Sequence, residues 1–157
     1  MIMQADLQQT KPEIMNEFVV RKSVSINAQP SKVWEALTDP EKTKKYFFNC
    51  KVFSDWKPGH PILFKGKIFL IKKIELKGRI VTIVPERFLK YTLKNESGKV
   101  TSFSTVTDEL IYKDGKTTVL ITDDVGKGEG AEKRFRRSEK GWDKVLKGLK
   151  ALVEKQA

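Results

Sequence analysis

The sequence has one cysteine and one histidine among its 157 residues. Cys50 therefore has no partner within the chain for a disulfide bond, which favours a reducing compartment. The usual zinc sites need several His or Cys ligands, so a single His60 cannot support one. We expect no metal and no cofactor, and the spacing of the residues supports no Ser-His-Asp or Cys-His nucleophile.

Long apolar runs are also missing. The longest uncharged apolar stretch, residues 68–71, is far shorter than the roughly 20 residues that cross a bilayer. The first seven residues show no basic region followed by an apolar segment, so they do not predict a secretion signal. We therefore expect a cytoplasmic protein without a membrane span.

Charge is abundant but scattered. The formal net charge is +11, yet the basic residues are spread over almost every segment, and lysines greatly outnumber arginines. Nucleic-acid grooves favour clustered arginines and stacking aromatics, so a specific nucleic-acid partner is not expected. Residues 133–137 form the one dense basic cluster, and weak contacts with anionic surfaces remain open.

The hydrophobic pattern predicts two kinds of element. Residues 1–16 have no pattern and are expected to be a flexible tail. A half-buried strand is expected from Phe18 to Ile26, then a short helix capped by Ser31 and a second one capped by Asp39. Period-two strands are expected over residues 50–55, 61–71, 73–84, 87–95, 100–113 and 116–125, with an Asp-Gly hairpin turn before the last.

A long helix is predicted over residues 131–154, after a glycine-rich hinge at residues 126–130. Its apolar positions form one stripe, which needs a cover that only the concave face of the sheet can supply. The fold class is therefore α+β, with a curved antiparallel sheet of six to seven strands around a long C-terminal helix. We expect one domain, residues 17–157, as a monomer or weak dimer.

Several motifs narrow this architecture to a family. They are Val33-Trp34-Glu35-Ala36-Leu37-Thr38-Asp39-Pro40-Glu41, Trp56-Lys57-Pro58-Gly59, Leu89-Lys90-Tyr91-Thr92, Thr105-Val106-Thr107-Asp108-Glu109-Leu110 and Gly141-Trp142 with Leu146 and Leu149. In this order they resemble the family named for the activator of heat-shock protein 90 ATPase, in the START-like or SRPBCC superfamily. The resemblance implies a helix-grip fold whose pocket, between sheet and helix, holds hydrophobic small molecules.

Strand parity selects the side chains expected to face that pocket. The predicted ligand-binding residues are Trp34, Tyr46, Phe47, Phe64, Tyr91, Val106, Asp108, Leu110, Ile121, Asp123, Trp142, Val145 and Leu149. Tyr112 lies an even number of residues from Asp108 on the same strand, so it is also expected to face inward. Because an unpaired buried carboxylate is costly, the two aspartates either reach water at the sheet edge or have a role in the pocket. That role is to anchor the polar end of a ligand or to act as a general acid or base.

Three functions follow from these residues. The leading hypothesis is a module that binds a hydrophobic or amphipathic small molecule. The second is a protein-interaction or chaperone-assisting role, as for an activator of the heat-shock protein 90 ATPase. The third is a cyclase or lyase-like enzyme that uses the same pocket. No catalytic residue is assigned, and His60 is expected to be an exposed turn residue.

Overall fold

The computed structural model describes residues 17–69, 71–95 and 101–155, and the expected tail at 1–16 lies outside them. The elements in chain order are β1 (Val19–Ile26), α1 (Pro30–Thr38), α2 (Pro40–Tyr46), β2 (Cys50–Ser54), β3 (Pro61–Ile68), β4 (Lys72–Val84), β5 (Phe88–Asn95), β6 (Ser102–Lys113), β7 (Lys116–Asp124) and α3 (Ala131–Lys155). The predicted fold class is confirmed.

The seven strands form one curved antiparallel sheet in the order β1-β7-β6-β5-β4-β3-β2. The register of β4 against β5 shifts between Ile80 and Thr82, and such a bulge bends a strand. Both edge strands carry a helix, since α3 packs on β1 and α2 packs on β2. The core lies between the inner face of the sheet and these helices.

The short helices begin at prolines. Asp39 caps α2 as predicted, because its Oδ1 accepts a hydrogen bond of 2.8 Å from the backbone N–H of Glu41. The prediction of Ser31 as the cap of α1 is wrong, since α1 already begins at Pro30 and Gln29 holds the capping position without a side-chain bond. Proline suits the first turn because its φ is already helical and its missing N–H would be unpaired there.

Strand ends differ from the prediction where the backbone turns. The strand expected over 61–71 ends at Ile68, because Phe69 has a left-handed φ of +55°. Asp114 and Gly115 both have positive φ and form the predicted two-residue turn between β6 and β7. Tyr112, expected to face inward, is 45% exposed near this turn, and its hydroxyl accepts a bond from Gln29.

A buried arginine joins α3 to the loop that precedes it. Arg134 belongs to the basic cluster at 133–137, yet it is only 8% exposed. Its Nε donates to the carbonyl of Val125 and its Nη1 to that of Glu129, each at 2.8 Å. The glycine-rich segment at 126–130 therefore has a specific anchor on the helix. No helix in the described part of the chain has the length and apolar composition needed to span a membrane.

Replacing Arg134 by Lys should destabilise the protein. Lysine keeps the charge but cannot span both carbonyls, so buried acceptors lose their donors and the free energy of unfolding should fall by about 1 to 3 kcal/mol. The matched control is Arg136→Lys, because Arg136 is exposed and forms a surface ion pair with Glu132; its effect should stay within about 0.5 kcal/mol. Urea denaturation measures both, and equal losses would contradict the anchoring role.

Candidate functional site: a groove between sheet and helix

The space enclosed between sheet and helix is small. Its cavity measures about 20 Å³, room for about one or two water molecules. The lining residues are Leu37, Thr43, Tyr46, Phe47, Trp56, Ile62, Phe64, Leu89, Tyr91, Asp108, Ile121, Trp142, Val145, Leu146 and Leu149. The deepest part of the predicted pocket is therefore packed core, with no space for a ligand of several atoms.

A larger groove opens beside this cavity. It lies between the N-terminal half of α3 and the inner face of β4, β5 and β6, with a volume of about 590 Å³. Its apolar lining comprises Phe47, Phe48, Ile74, Leu76, Leu93, Val106, Val125, Trp142 and Val145. Volumes of about 300 to 1,000 Å³ are typical of small-molecule sites, so the groove, unlike the cavity, is large enough for a ligand.

Three side chains separate the cavity from the groove, because Phe47, Trp142 and Val145 line both. Phe47 stacks on Phe64 with ring centroids 4.7 Å apart and meets Trp142 edge-on at 6.0 Å. Such aromatic pairs stabilise each other by more than the burial of their apolar surface alone would contribute. The partition is therefore a packed aromatic wall rather than one loose side chain.

Asp123 supplies a buried carboxyl group to the groove wall. Its Oδ2 accepts hydrogen bonds from Ser138 Oγ at 2.6 Å and from Trp142 Nε1 at 2.9 Å. Its Oδ1 is buried and has no hydrogen-bond partner in the part of the chain that the structure describes. Burial raises the pKa of Asp123, while the bonds from Ser138 and Trp142 act in the opposite direction. One oxygen is thus fixed by the helix, and the other is a buried acceptor without a donor among the described residues.

Asp108 lies deeper, on the wall of the enclosed cavity. It is 4% exposed, and its Oδ1 has no hydrogen-bond partner within residues 17–69, 71–95 and 101–155. Burial, together with the charge of Asp123, raises the pKa of Asp108 to about 7. The alternative that the two aspartates reach water at a sheet edge is wrong, because β6 and β7 are interior strands and both carboxyl groups are buried.

The structure divides the predicted site residues between the two spaces. The predicted residues that line the enclosed cavity are Tyr46, Phe47, Phe64, Tyr91, Asp108, Ile121, Trp142, Val145 and Leu149. Val106 and Asp123 line the groove instead. Trp34 and Leu110 contribute to the core cluster but line neither space.

Sequence reasoning missed several groove residues. Ser138 stands four residues before Trp142, so the two share a helix face, and that spacing was the available signal for their joint contact with Asp123. Ile74 and Leu76 alternate along β4 and could have been found by parity. Lys72, Lys73, Lys94 and Arg137 also line the groove, and nothing in the sequence places these cations around one opening.

Other chemistry-bearing residues lie away from both spaces. His60 is on an exposed turn, as predicted, with its Nδ1 2.6 Å from Asp55 Oδ2. Cys50 is buried, and burial raises the pKa of its thiol, which makes it a weaker nucleophile at neutral pH. Within residues 17–69, 71–95 and 101–155, no group of three or more His, Cys, Asp or Glu could hold a metal ion.

Replacing Asp108 by Asn should change how stability depends on pH. An aspartate in the unfolded chain has a pKa of about 4, whereas the folded value is about 7. The folded state favours the protonated form, so Asp108 increasingly opposes folding as pH rises through this window and contributes a constant penalty above it.

Because asparagine cannot ionise, the variant's gain in free energy of unfolding should grow from acid to neutral pH, by on the order of 2 to 4 kcal/mol. Urea denaturation at intervals across this range measures the gain, with Asp114→Asn in the exposed β6–β7 turn as the control. A difference from the parent protein that does not vary with pH would contradict the buried, protonated state of Asp108.

Comparison with known proteins agrees with this architecture. The crystal structure of protein MLL2253 from Mesorhizobium loti superposes with a TM-score of 0.74 at 20% identity, covering 88% of this chain and 98% of that one. The solution structure of ChR145 from Cytophaga hutchinsonii has a TM-score of 0.68 at 32% identity, covering 88% and 94%. No curated protein sequence matches the chain.

A further solved structure and a family model extend the comparison. The solution structure of the Aha1 dimer from Colwellia psychrerythraea has a TM-score of 0.69 at 16% identity, covering 87% of this chain and 96% of that one. The family model described as Activator of Hsp90 ATPase homolog 1-like protein matches residues 27–154. The chain therefore belongs to the family of Activator of Hsp90 ATPase homolog 1-like proteins, as its motifs predict.

Proposed function

We propose that this protein binds an amphipathic small molecule in the groove between α3 and strands β4 to β6. The observation that carries the proposal is an open space of about 590 Å³ with an apolar lining and one buried, partnerless carboxylate oxygen. Ligand sites combine a mostly apolar surface with a few placed polar groups. The groove has both features, whereas the enclosed cavity has no room for a ligand.

Asp123 is the proposed polar anchor. The bonds from Ser138 and Trp142 hold one carboxylate oxygen in place, so the orientation of the other is set before a ligand arrives. A buried oxygen without a donor is costly, and a ligand hydroxyl or amine that donates to Asp123 Oδ1 would remove that cost. An apolar body would then lie on Leu76, Leu93 and Val106.

Cations around the groove suggest the charge of the ligand's other end. Lys72, Lys73, Lys94 and Arg137 all line the opening and are exposed. An amphipathic anion could therefore place its acidic group among these cations while its apolar part is buried. A cytoplasmic location agrees with the single buried thiol, Cys50.

A substitution that narrows the groove should weaken binding. The probe is 1-anilinonaphthalene-8-sulfonate, an amphipathic anion that fluoresces in apolar surroundings. Ile74 is half-buried and lines the groove, so Ile74→Trp should weaken dye binding about tenfold or more, equivalent to about 1.4 kcal/mol.

The matched control is Thr82→Trp, which adds the same ring at an exposed position of the same strand and should leave the affinity unchanged. Fluorescence titration measures both variants, and native mass spectrometry of the purified protein identifies any retained ligand. Equal dye affinity for Ile74→Trp, Thr82→Trp and the parent protein would contradict the proposal.

The family description favours a second candidate, stimulation of the heat-shock protein 90 ATPase. A chaperone contact would use the basic surface, including the exposed residues of α3, and would weaken as salt screens it. Adding the protein to the purified chaperone and measuring ATP hydrolysis distinguishes the two roles. Stimulation that survives Ile74→Trp would place this activity outside the groove.

A further inference from the structure

The tip of the β3–β4 hairpin exposes two large apolar side chains. Phe69 is 89% exposed and Ile71 is 88% exposed, whereas the other exposed large hydrophobics have values between 42% and 52%. Scattered, partly exposed apolar residues are normal on a protein surface. Two almost fully exposed ones at the same tip are unusual and mark a candidate contact surface.

The backbone conformation at the tip adds a second observation. Phe69 has a φ of +55°, in the left-handed region where glycine or asparagine is normally found. A bulky aromatic residue is an unfavourable choice for such a turn in water. Since neither its turn geometry nor burial against the described residues accounts for this side chain, the tip is a candidate contact surface.

Lysines surround the apolar tip. Lys67 and Lys73 are direct partners across the two strands. Lys72 precedes Lys73 and Lys65 lies two residues before Lys67, and all four are exposed. The nearby acid, Glu75, lies 3.0 Å from Lys77 and is the cross-strand partner of Lys65, so it faces only part of this positive charge. Like charges directly opposite one another are destabilising, so an anionic partner would relieve the repulsion between Lys67 and Lys73.

We propose that the β3–β4 hairpin docks the protein on the surface of an anionic lipid bilayer, with Phe69 and Ile71 inserted among the acyl chains and Lys65, Lys67, Lys72 and Lys73 at the headgroups. Apolar side chains bordered by lysines are typical of interfacial membrane contacts. The net charge of +11 attracts the protein to such a surface before contact. This combination favours a bilayer over a protein partner.

Docking in this way would bring the groove to the bilayer. Lys72 and Lys73 line the groove opening as well as the base of the tip, so the two surfaces are contiguous. An amphipathic molecule could then pass between bilayer and groove without crossing much water. The docking surface does not include the groove floor, so membrane binding is independent of whether the groove binds a ligand.

Sedimentation with vesicles tests the apolar part of the surface. The full chain should bind vesicles that contain phosphatidylserine and phosphatidylcholine, and bind poorly to phosphatidylcholine alone. Phe69→Ser with Ile71→Ser should lower the bound fraction about tenfold or more. The matched control is Phe103→Ser with Ile111→Ser, which removes one Phe and one Ile exposed on β6 and should leave binding intact.

A second pair of variants tests the charges. Lys67→Gln with Lys73→Gln should lower binding several-fold, whereas Lys113→Gln with Lys116→Gln, an equivalent cross-strand pair on the β6–β7 hairpin, should not. Binding should also fall as salt rises from about 50 to about 300 mM, because screening weakens the headgroup attraction. Circular dichroism checks that every variant folds.

Three results would overturn the proposal. One is failure of the parent protein to bind phosphatidylserine vesicles. Another is equal loss of binding in the tip variants and their β6 or β6–β7 controls, since the attraction would then be diffuse. The third is that the tip variant, Phe69→Ser with Ile71→Ser, changes the protein's molar mass in light scattering without changing vesicle binding. That result would assign the two side chains to self-association. Ile74→Trp should bind vesicles normally even if it no longer binds the dye.

Discussion

One helix has to cover a sheet that is wider than itself. The seven strands make six spacings of about 4.8 Å, or about 29 Å in all, whereas a helix with its side chains is about 10 Å across. The short helix α2 covers β2 and α3 lies towards β1. The inner face of the central strands β4 to β6 is covered at one end, where Ile80, Tyr91 and Leu110 are buried. It stays open at the other end, beside Ile74, Leu76 and Leu93, and the groove follows from this mismatch.

The aromatic wall decides how much of that space is usable. Phe47, reaching in from the end of α2, and Trp142 from α3 meet above the sheet and close off the deep half. Trp142 also donates to Asp123, so the same residue packs the core and orients the carboxyl group at the groove wall. Packing and site chemistry are linked through this single side chain.

The buried carboxyl groups oppose the stability of the fold that contains them. Asp108 and Asp123 lie on adjacent interior strands, and each has an oxygen without a partner. A core built for stability alone would hold apolar residues there, since burying an unpaired polar group is unfavourable. Positions that weaken the fold in this way are where functional groups are usually found. The exposed hairpin tip, with Phe69 in a left-handed turn, is likewise unfavourable for the stability of the fold.

Sequence alone determined the elements, the sheet type and the family, because period-two and helical patterns depend only on neighbouring residues. It also identified Asp108 and Asp123 as inward-facing, since strand parity depends on counting along one strand. What it could not determine were properties set by contacts distant in sequence. Among these are the closure of the deep cavity by Phe47 and Trp142, the burial of Arg134 against the loop carbonyls, and the gathering of cations around one opening. Phe69 and Ile71 belong with them, because an apolar run appears identical in sequence whether a neighbouring element covers it or leaves it in water.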